Sequence, residues 1–167
     1  MNRGKAVSEL LIRPYHPGDL PFMAQGAAFN AWDLVPEPER TPDAWMRAAR
    51  FSYGNLMNML RQPGGTALIL EEDGGPVAFI LLGIGPDTYT GQLYGYLGDI
   101  FVTPEYRRRG LSLLLHREAE QYFRSQGVRQ AKLWIGAENR AALESARKAG
   151  FQPEGHVLWK RYAEPSG

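Results

Sequence analysis

The amino-acid sequence predicts a mixed α/β domain, and three observations predict it. Strand-like and helix-like segments interleave along one chain, which places both in one layered fold. Asp73-Gly74-Gly75 joins two largely apolar runs, residues 66–72 and 76–83, as a tight hairpin would. A segment of helical periodicity, 110–126, lies between strand-like segments 93–103 and 131–136. Those two strands are therefore expected to be parallel, joined by a right-handed crossover.

The elements follow in order. Residues 9–15 (ELLIRPY) read as a first strand, ended by Pro14, Pro17 and Gly18. Asp19 is the expected cap of a helix from Leu20 to about Ala31, with Pro21 in its first turn. The proline-rich LVPEPERTP that follows is a loop. Thr41 caps a second helix, from Pro42 to about Leu60, and Asp43 complements its N-terminal dipole. Residues 87–91 form a turn, and 93–103 (LYGYLGDIFVT) form a long strand stopped by Pro104. Apolar residues at 111, 114, 115, 119, 122 and 123 give the third helix a buried stripe, and Gly127 ends it. Asn139 caps a short helix over 140–149, closed by Gly150, and 157–162 read as a last strand. The expected organisation is a short tail, 1–8, and one domain over 9–164.

Composition narrows the function classes. The absence of cysteine removes disulfides, thiol nucleophiles and thiolate metal sites together. His16, His116 and His156 are too scattered for a metal motif. A net charge of +1 gives no general nucleic-acid or membrane surface. The first eight residues are polar, and the longest apolar run, 77–82, is far short of a membrane span. The expectation is a cytoplasmic chain without a nucleic-acid, membrane or metal partner.

Residues 99–115 (DIFVTPEYRRRGLSLLL) carry the strongest functional signal. They read as strand, loop and helix, with Arg107, Arg108, Arg109 and Gly110 at the helix N-terminus. The first turn of a helix leaves amides without partners, and its dipole adds positive potential there. Gly110 lets a ligand approach the backbone closely. Together these features make a pyrophosphate cradle. An arginine-rich turn alone is usually a solvated surface. Here that reading must also account for strand, proline, glycine and amphipathic helix in this order. No Gly-Lys-Ser/Thr is present, so this is not a Walker loop, and the three spaced glycines of a dinucleotide fingerprint are missing.

These residues resemble the GNAT superfamily of acyl-CoA N-acyltransferases. The family signature, Arg/Gln-x-x-Gly-x-Gly/Ala after a strand ending in valine, reads here as Arg107-Arg108-Arg109-Gly110-Leu111-Ser112 after Val102. Ser112 replaces the second small residue. Asn139-x-x-Ala142 followed by Ala149-Gly150-Phe151 is similar to the family's second segment. The resemblance is dense over 93–151 and rests on element order over 9–86. It implies a partly antiparallel sheet, flanked by helices and split between two central parallel strands, with the pantetheine arm of acetyl-CoA in the split. It implies that the strand segment Ile100, Phe101 and Val102 faces the donor, with backbone groups of Ile100 and Val102 pairing with the arm. It also implies that the amides of Arg108 to Leu113 hold the pyrophosphate, with Asn139 further along. Asn139 is equally a favoured helix cap, and both roles are compatible.

The implied reaction is attack of a primary amine on the acetyl thioester, which needs orientation and a base. Family members often carry an acid or histidine on the central strand. Counting back in twos from Val102 places Ile100, Gly98, Tyr96 and Tyr94 on its face, with Gly98 at the usual carboxylate position. Tyr96 is the catalytic candidate on that face. Asp99 is the second candidate, but it reaches the same face only through a bulge; otherwise it is a structural acid. A tyrosine that often protonates the departing thiolate falls at Ala146 here, beside Ser145, and Tyr162 is a distant substitute. The acceptor side is expected among Trp32, Asp33, Glu37, Glu39, Trp45, Phe51 and Tyr53, with Trp45 in the core and both glutamates in solvent. The function expected is N-acetyl transfer to a small-molecule or peptide amine, the enzyme being free to form a homodimer. Acetylation of a protein N-terminus or lysine, and a non-catalytic acyl-CoA sensor, are the alternatives.

Overall fold

Asp73 (φ 52°) and Gly74 (φ 82°) take the left-handed backbone that a two-residue hairpin turn requires. They join β2 (Thr66–Glu72) to β3 (Gly75–Pro86) at the centre of the sheet in this computed structural model, which describes residues 9–155, 157 and 158. β1 (Leu10–Pro14), β2, β3 and β4 (Leu93–Val102) are successively antiparallel, and β5 (Ala131–Leu133) adds in parallel to β4. The order is β1-β2-β3-β4-β5.

Helices cover both faces. α1 (Leu20–Asp33) and α2 (Pro42–Arg61) bury Met23, Ala27 and Leu56 against Ala67, Ile69, Phe79, Leu81 and Phe101. α3 (Leu111–Ser125) covers the other face. Its fully buried stripe, Leu111, Leu115, Ala119 and Phe123, recurs every four residues and meets Leu70, Ala78, Ile80, Leu82 and Leu97. α4 (Arg140–Lys148) packs on α3. Burying these two apolar layers is the main stabilising term.

Thr41 caps α2 as expected, its Oγ1 accepting from the Ala44 amide at 3.1 Å. Asp19 does not cap α1. Its carboxylate instead accepts a bidentate pair from Arg13, at 2.7 and 2.9 Å, and the His16 amide at 2.8 Å. An ionised guanidinium next door outbids a helix amide. Trp45 is half-buried against Phe29 and Trp32 rather than in the core, while Glu37 and Glu39 face solvent. The expected last strand, 157–162, lies outside the described residues except for Val157 and Leu158, neither of which is in a strand.

Two irregularities in β4 coincide. Ile80 pairs with Ile100, but Leu82 pairs with Leu97, so β4 spends one extra residue opposite Leu81. This is a β-bulge at Gly98 and Asp99. Pairing of β4 with β5 covers only Gly95–Leu97 against Ala131–Leu133. Beyond the bulge the two strands have no ladder, so β5 ends at Leu133 rather than at Gly136. Residues 98–102 of β4 consequently have no β5 partner, and the sheet is split there.

Candidate active site

The split opens beside the arginine loop. After a 3-10 turn at Pro104–Tyr106, Arg107 donates from Nε to the Val102 carbonyl at 3.0 Å. Arg108 (φ 60°) and Gly110 (φ 76°) are both left-handed, and Gly110 is the N-cap of α3 without a side-chain cap. A Cβ at Gly110 would meet nothing within 4 Å, so glycine serves the backbone conformation and an open approach. Among the described residues, the amides of Arg108, Arg109, Gly110, Leu111 and Ser112 donate to no acceptor. The Leu113 amide is engaged by the Gly110 carbonyl at 3.1 Å, so the free run is one residue shorter than expected. Arg109 does not point freely into this cradle. It forms a bidentate pair with Glu72 on β2, 2.9 Å at one end, and lies 5.2 Å over the Tyr106 ring. Arg109 ties the loop to the sheet.

From the cradle a cleft of about 220 Å³ runs between the separated ends of β4 and β5. Ile100, Phe101 and Val102 form one wall, and Ser112 with His116 of α3 and Asn139, Ala142 and Ser145 of α4 form another. Asn139 caps α4, its Oδ1 accepting from the Ala142 amide at 3.1 Å while the residue still lines the cleft. Ser112 and Ser145 are bonded through their hydroxyls at 2.8 Å. Each carries one O–H, so the pair retains one O–H to donate elsewhere. Ala146 is buried and does not line the cleft, whereas Ser145 beside it does. His116 is also buried, and its Nδ1 has no partner among the described residues. Burial pushes its imidazole pKa down, so the ring is neutral at neutral pH.

The bulge overturns the expected face of the tyrosines. Leu97, not Tyr96, shares the α3 face with Ile100 and Val102. Tyr94 and Tyr96 turn to the α1–α2 face, their rings 4.3 Å apart and tilted by 55°, under Lys132 of β5. A single inserted residue reverses every side chain N-terminal to it. Gly98 is exposed, and a Cβ there would approach the Met59 sulfur to 2.8 Å. Asp99, the other bulge residue, turns to α1, so the bulge does not carry it to the Val102 face as expected. Asn30 donates from Nδ2 to Asp99 Oδ1 and to the Ile100 carbonyl, both at 3.1 Å. Burial pushes the Asp99 carboxyl above its ordinary 3.8, and the Asn30 bond offsets part of that rise. Asn30 and Asp33, one helical turn apart, line the cleft mouth, so Asp99 adjoins the cleft through Asn30.

Sequence reasoning missed Asn30, His116 and Glu72. Asn30 lies 69 residues from Asp99, and no local motif marks it. Phe51 and Tyr53, expected on the acceptor side, are exposed on α2 and do not line the cleft.

Comparison with known proteins agrees with this geometry. Residues 27–151 match the family described as "Acetyltransferase (GNAT) family". The uncharacterized N-acetyltransferase MJ1207 of Methanocaldococcus jannaschii is 39% identical over 54 residues, covering 32% of this chain and 24% of that protein. Mycothiol acetyltransferase of Cellulomonas flavigena is 25% identical over 156 residues, covering 81% of this chain and 43% of that protein. The chain thus spans less than half the length of either relative. Aminoglycoside N-acetyltransferase AAC(6')-Iy, solved in complex with CoA, superposes with a TM-score of 0.67 at 21% identity, over 93% of this chain and 96% of that one. A GCN5-related N-acetyltransferase from Ralstonia eutropha JMP134 gives 0.70 at 20% identity, over 92% and 99%. At such identities the likeness establishes the fold.

Proposed function

Because the chain belongs to the GNAT acetyltransferase family, we propose that it transfers an acetyl group from acetyl-CoA to a primary amine. The observation that carries this reading is the run of free amides at 108–112 opening directly onto the split between β4 and β5. Those amides and the α3 dipole suit a pyrophosphate. The unladdered edge at 98–102 suits an extended arm that adds like a strand. Carbonyl oxygens accept two bonds each, so Ile100 and Val102 keep capacity beside Asn30 and Arg107. The Ser112–Ser145 pair and Asn139 offer polar partners further along. Donor-set chemistry and shape therefore fit acyl-CoA.

The bound donor supplies the thioester. The amine nitrogen bonds to the acetyl carbon, the carbon–sulfur bond breaks, and its electron pair leaves on sulfur. An ammonium acceptor loses two protons overall; one ends on the thiol and the other on solvent. The chain's own part is to orient the amine and to take its proton. Asp99 is the base, directly or through a water, because its raised pKa brings it nearer the working pH than an ordinary carboxylate. The free O–H of the serine pair is a hydrogen-bond donor for the leaving sulfur. A serine hydroxyl is too weak an acid to surrender its proton to a thiolate of pKa about 8.5. An under-satisfied carboxyl at the cleft favours an enzyme over a sensor.

The test is calorimetry with acetyl-CoA, then release of free thiol against butylamine, spermidine, glucosamine and a tetraalanine peptide. Binding followed by amine-dependent thiol release is expected. Failure to bind acetyl-CoA overturns the donor site, and binding without turnover of any amine overturns the enzyme reading in favour of the sensor.

A further inference from the structure

Asn30 has a bonding pattern that its place in the fold does not need. It sits at the part-buried edge of α1, where α1 crosses the open end of β4. An amide side chain has two N–H donors on nitrogen and an acceptor oxygen. Both bonds that Asn30 makes leave from Nδ2, to the Asp99 carboxylate and to the Ile100 carbonyl. Both partners are acceptors, so the amide cannot be flipped without losing both bonds. The Oδ1 atom is therefore fixed in direction, and it accepts nothing among the described residues. Asn30 also lines the cleft, together with Asp33 one turn further on.

We propose that Asn30 positions the acceptor amine: β4 holds its amide nitrogen, and its Oδ1 accepts a hydrogen bond from the amine N–H beside Asp99. This rests on the acetyl-transfer reading above and adds the residue that aims the nucleophile. An incoming ammonium has three N–H groups. One reaches Asn30 Oδ1 and one reaches Asp99 or a water on it, which leaves the nitrogen held on two sides as it loses its proton. The same side chain that donates to Asp99 thus orients base and nucleophile together. Once the nitrogen is the neutral nucleophile, a primary amine still has two N–H bonds for the two oxygens whereas a secondary amine has one, which favours primary over secondary amines.

Two variants separate this role from simple attachment of α1 to β4. Asn30→Leu removes donors and acceptor. Asn30→Asp removes the donors but keeps an acceptor oxygen. Acetyl-CoA affinity is measured by calorimetry, and KM, kcat and the pH profile of kcat/KM are measured for every panel amine that the wild type turns over. For Asn30→Leu the expected result is an amine KM raised about tenfold, the loss of one hydrogen bond to a charged partner, with acetyl-CoA Kd within about twofold. Asn30→Asp is expected to keep the amine KM within about threefold. The acidic limb of its kcat/KM profile moves to higher pH, because a second carboxylate disfavours ionisation of Asp99. If Asn30→Leu fails to fold, the Asn30→Asp result decides alone. Amine KM unchanged in Asn30→Leu, or raised equally in both variants, overturns the amine contact while leaving acetyl transfer standing. A wild type that turns over no amine overturns both readings.

Discussion

Two aspartates lie at opposite ends of α1, and their surroundings could hardly differ more. Asp19 is 4% exposed, yet it accepts two bonds from Arg13 and one from the His16 amide, and Arg13 is shared with Glu71 at 2.6 Å. The Arg13 guanidinium holds the Asp19 carboxyl below its ordinary 3.8. Asp99 is half-buried with one neutral donor, Asn30, and burial holds its carboxyl above the same value. A carboxylate whose charge is satisfied stabilises the fold; one left short of partners stays ready to take a proton. The fold is anchored at one end of α1, and the proposed base stands at the other.

The largest expected effect breaks the reactive end. Asp99→Asn keeps the Asn30 bond and removes the base, so amine turnover should fall by about 10²–10⁴ with acetyl-CoA Kd within about twofold. Two-residue alternation would rank Tyr96→Phe as the more damaging change; the opposite order is expected because the bulge takes Tyr96 off the Val102 face while Asp99 adjoins the cleft through Asn30. Steady-state kinetics on both variants checks it; a dead Tyr96→Phe beside a normal Asp99→Asn would remove Asp99 from the mechanism. Next comes the anchored end. Asp19→Asn should cost about 3 kcal/mol of stability, the low end for breaking a buried pair, since Arg13 keeps 22% of its side chain exposed. Turnover well below the melting temperature should be unaltered. Urea unfolding reads the first and the amine assay the second.

The two acids also predict pH effects of opposite sign. Asp19 has a lowered pKa, so its stabilisation is present above its unfolded value and is lost as pH falls through the folded one. Asp99 has a raised pKa, so its folded state is favoured while it is protonated. That advantage is lost as pH rises through the folded value. Asp99→Asn should therefore raise the melting temperature at about pH 7 and lose this gain below about pH 4. A variant equally stable with wild type at both pH values would show that Asp99 is not desolvated.

How much of this was legible follows from sequence distance. The hairpin, the Thr41 cap, the Asn139 cap and the arginine loop are all written within a few adjacent residues, and each appears where the sequence puts it. The loop on which the proposed donor site rests was readable for that reason. The bulge was not, because it exists only in the register of β3 against β4. The tyrosine face failed with it. Asn30 with Asp99, and Glu72 with Arg109, join residues 69 and 37 positions apart, and nothing local marks either partner. Asp19 reads as a helix cap until β1 brings Arg13 beside it.

The same contrast of engaged and unengaged charge extends to the arginine loop and gives the smallest prediction. The sequence sets Arg108 and Arg109 side by side at the helix N-terminus and gives no ground to separate them. In the structure Arg109 is engaged by Glu72 and the Tyr106 ring, whereas Arg108 is exposed, left-handed in its backbone, and in no ion pair among the described residues. A guanidinium already neutralised by a carboxylate offers a ligand phosphate little net charge. A solvated one offers its full charge, screened by salt over a Debye length of about 10 Å at 0.1 M. Arg108→Gln should then raise acetyl-CoA Kd about threefold at low salt, in line with an exposed charge pair, and should flatten the dependence of Kd on salt. Arg109→Gln should leave the salt dependence as steep as in wild type, with a smaller change in Kd, because it loosens the loop without removing free charge. Calorimetric titrations at two or three salt concentrations distinguish the variants. Equal flattening of the salt dependence in both would mean that Arg109 leaves Glu72 when the donor binds.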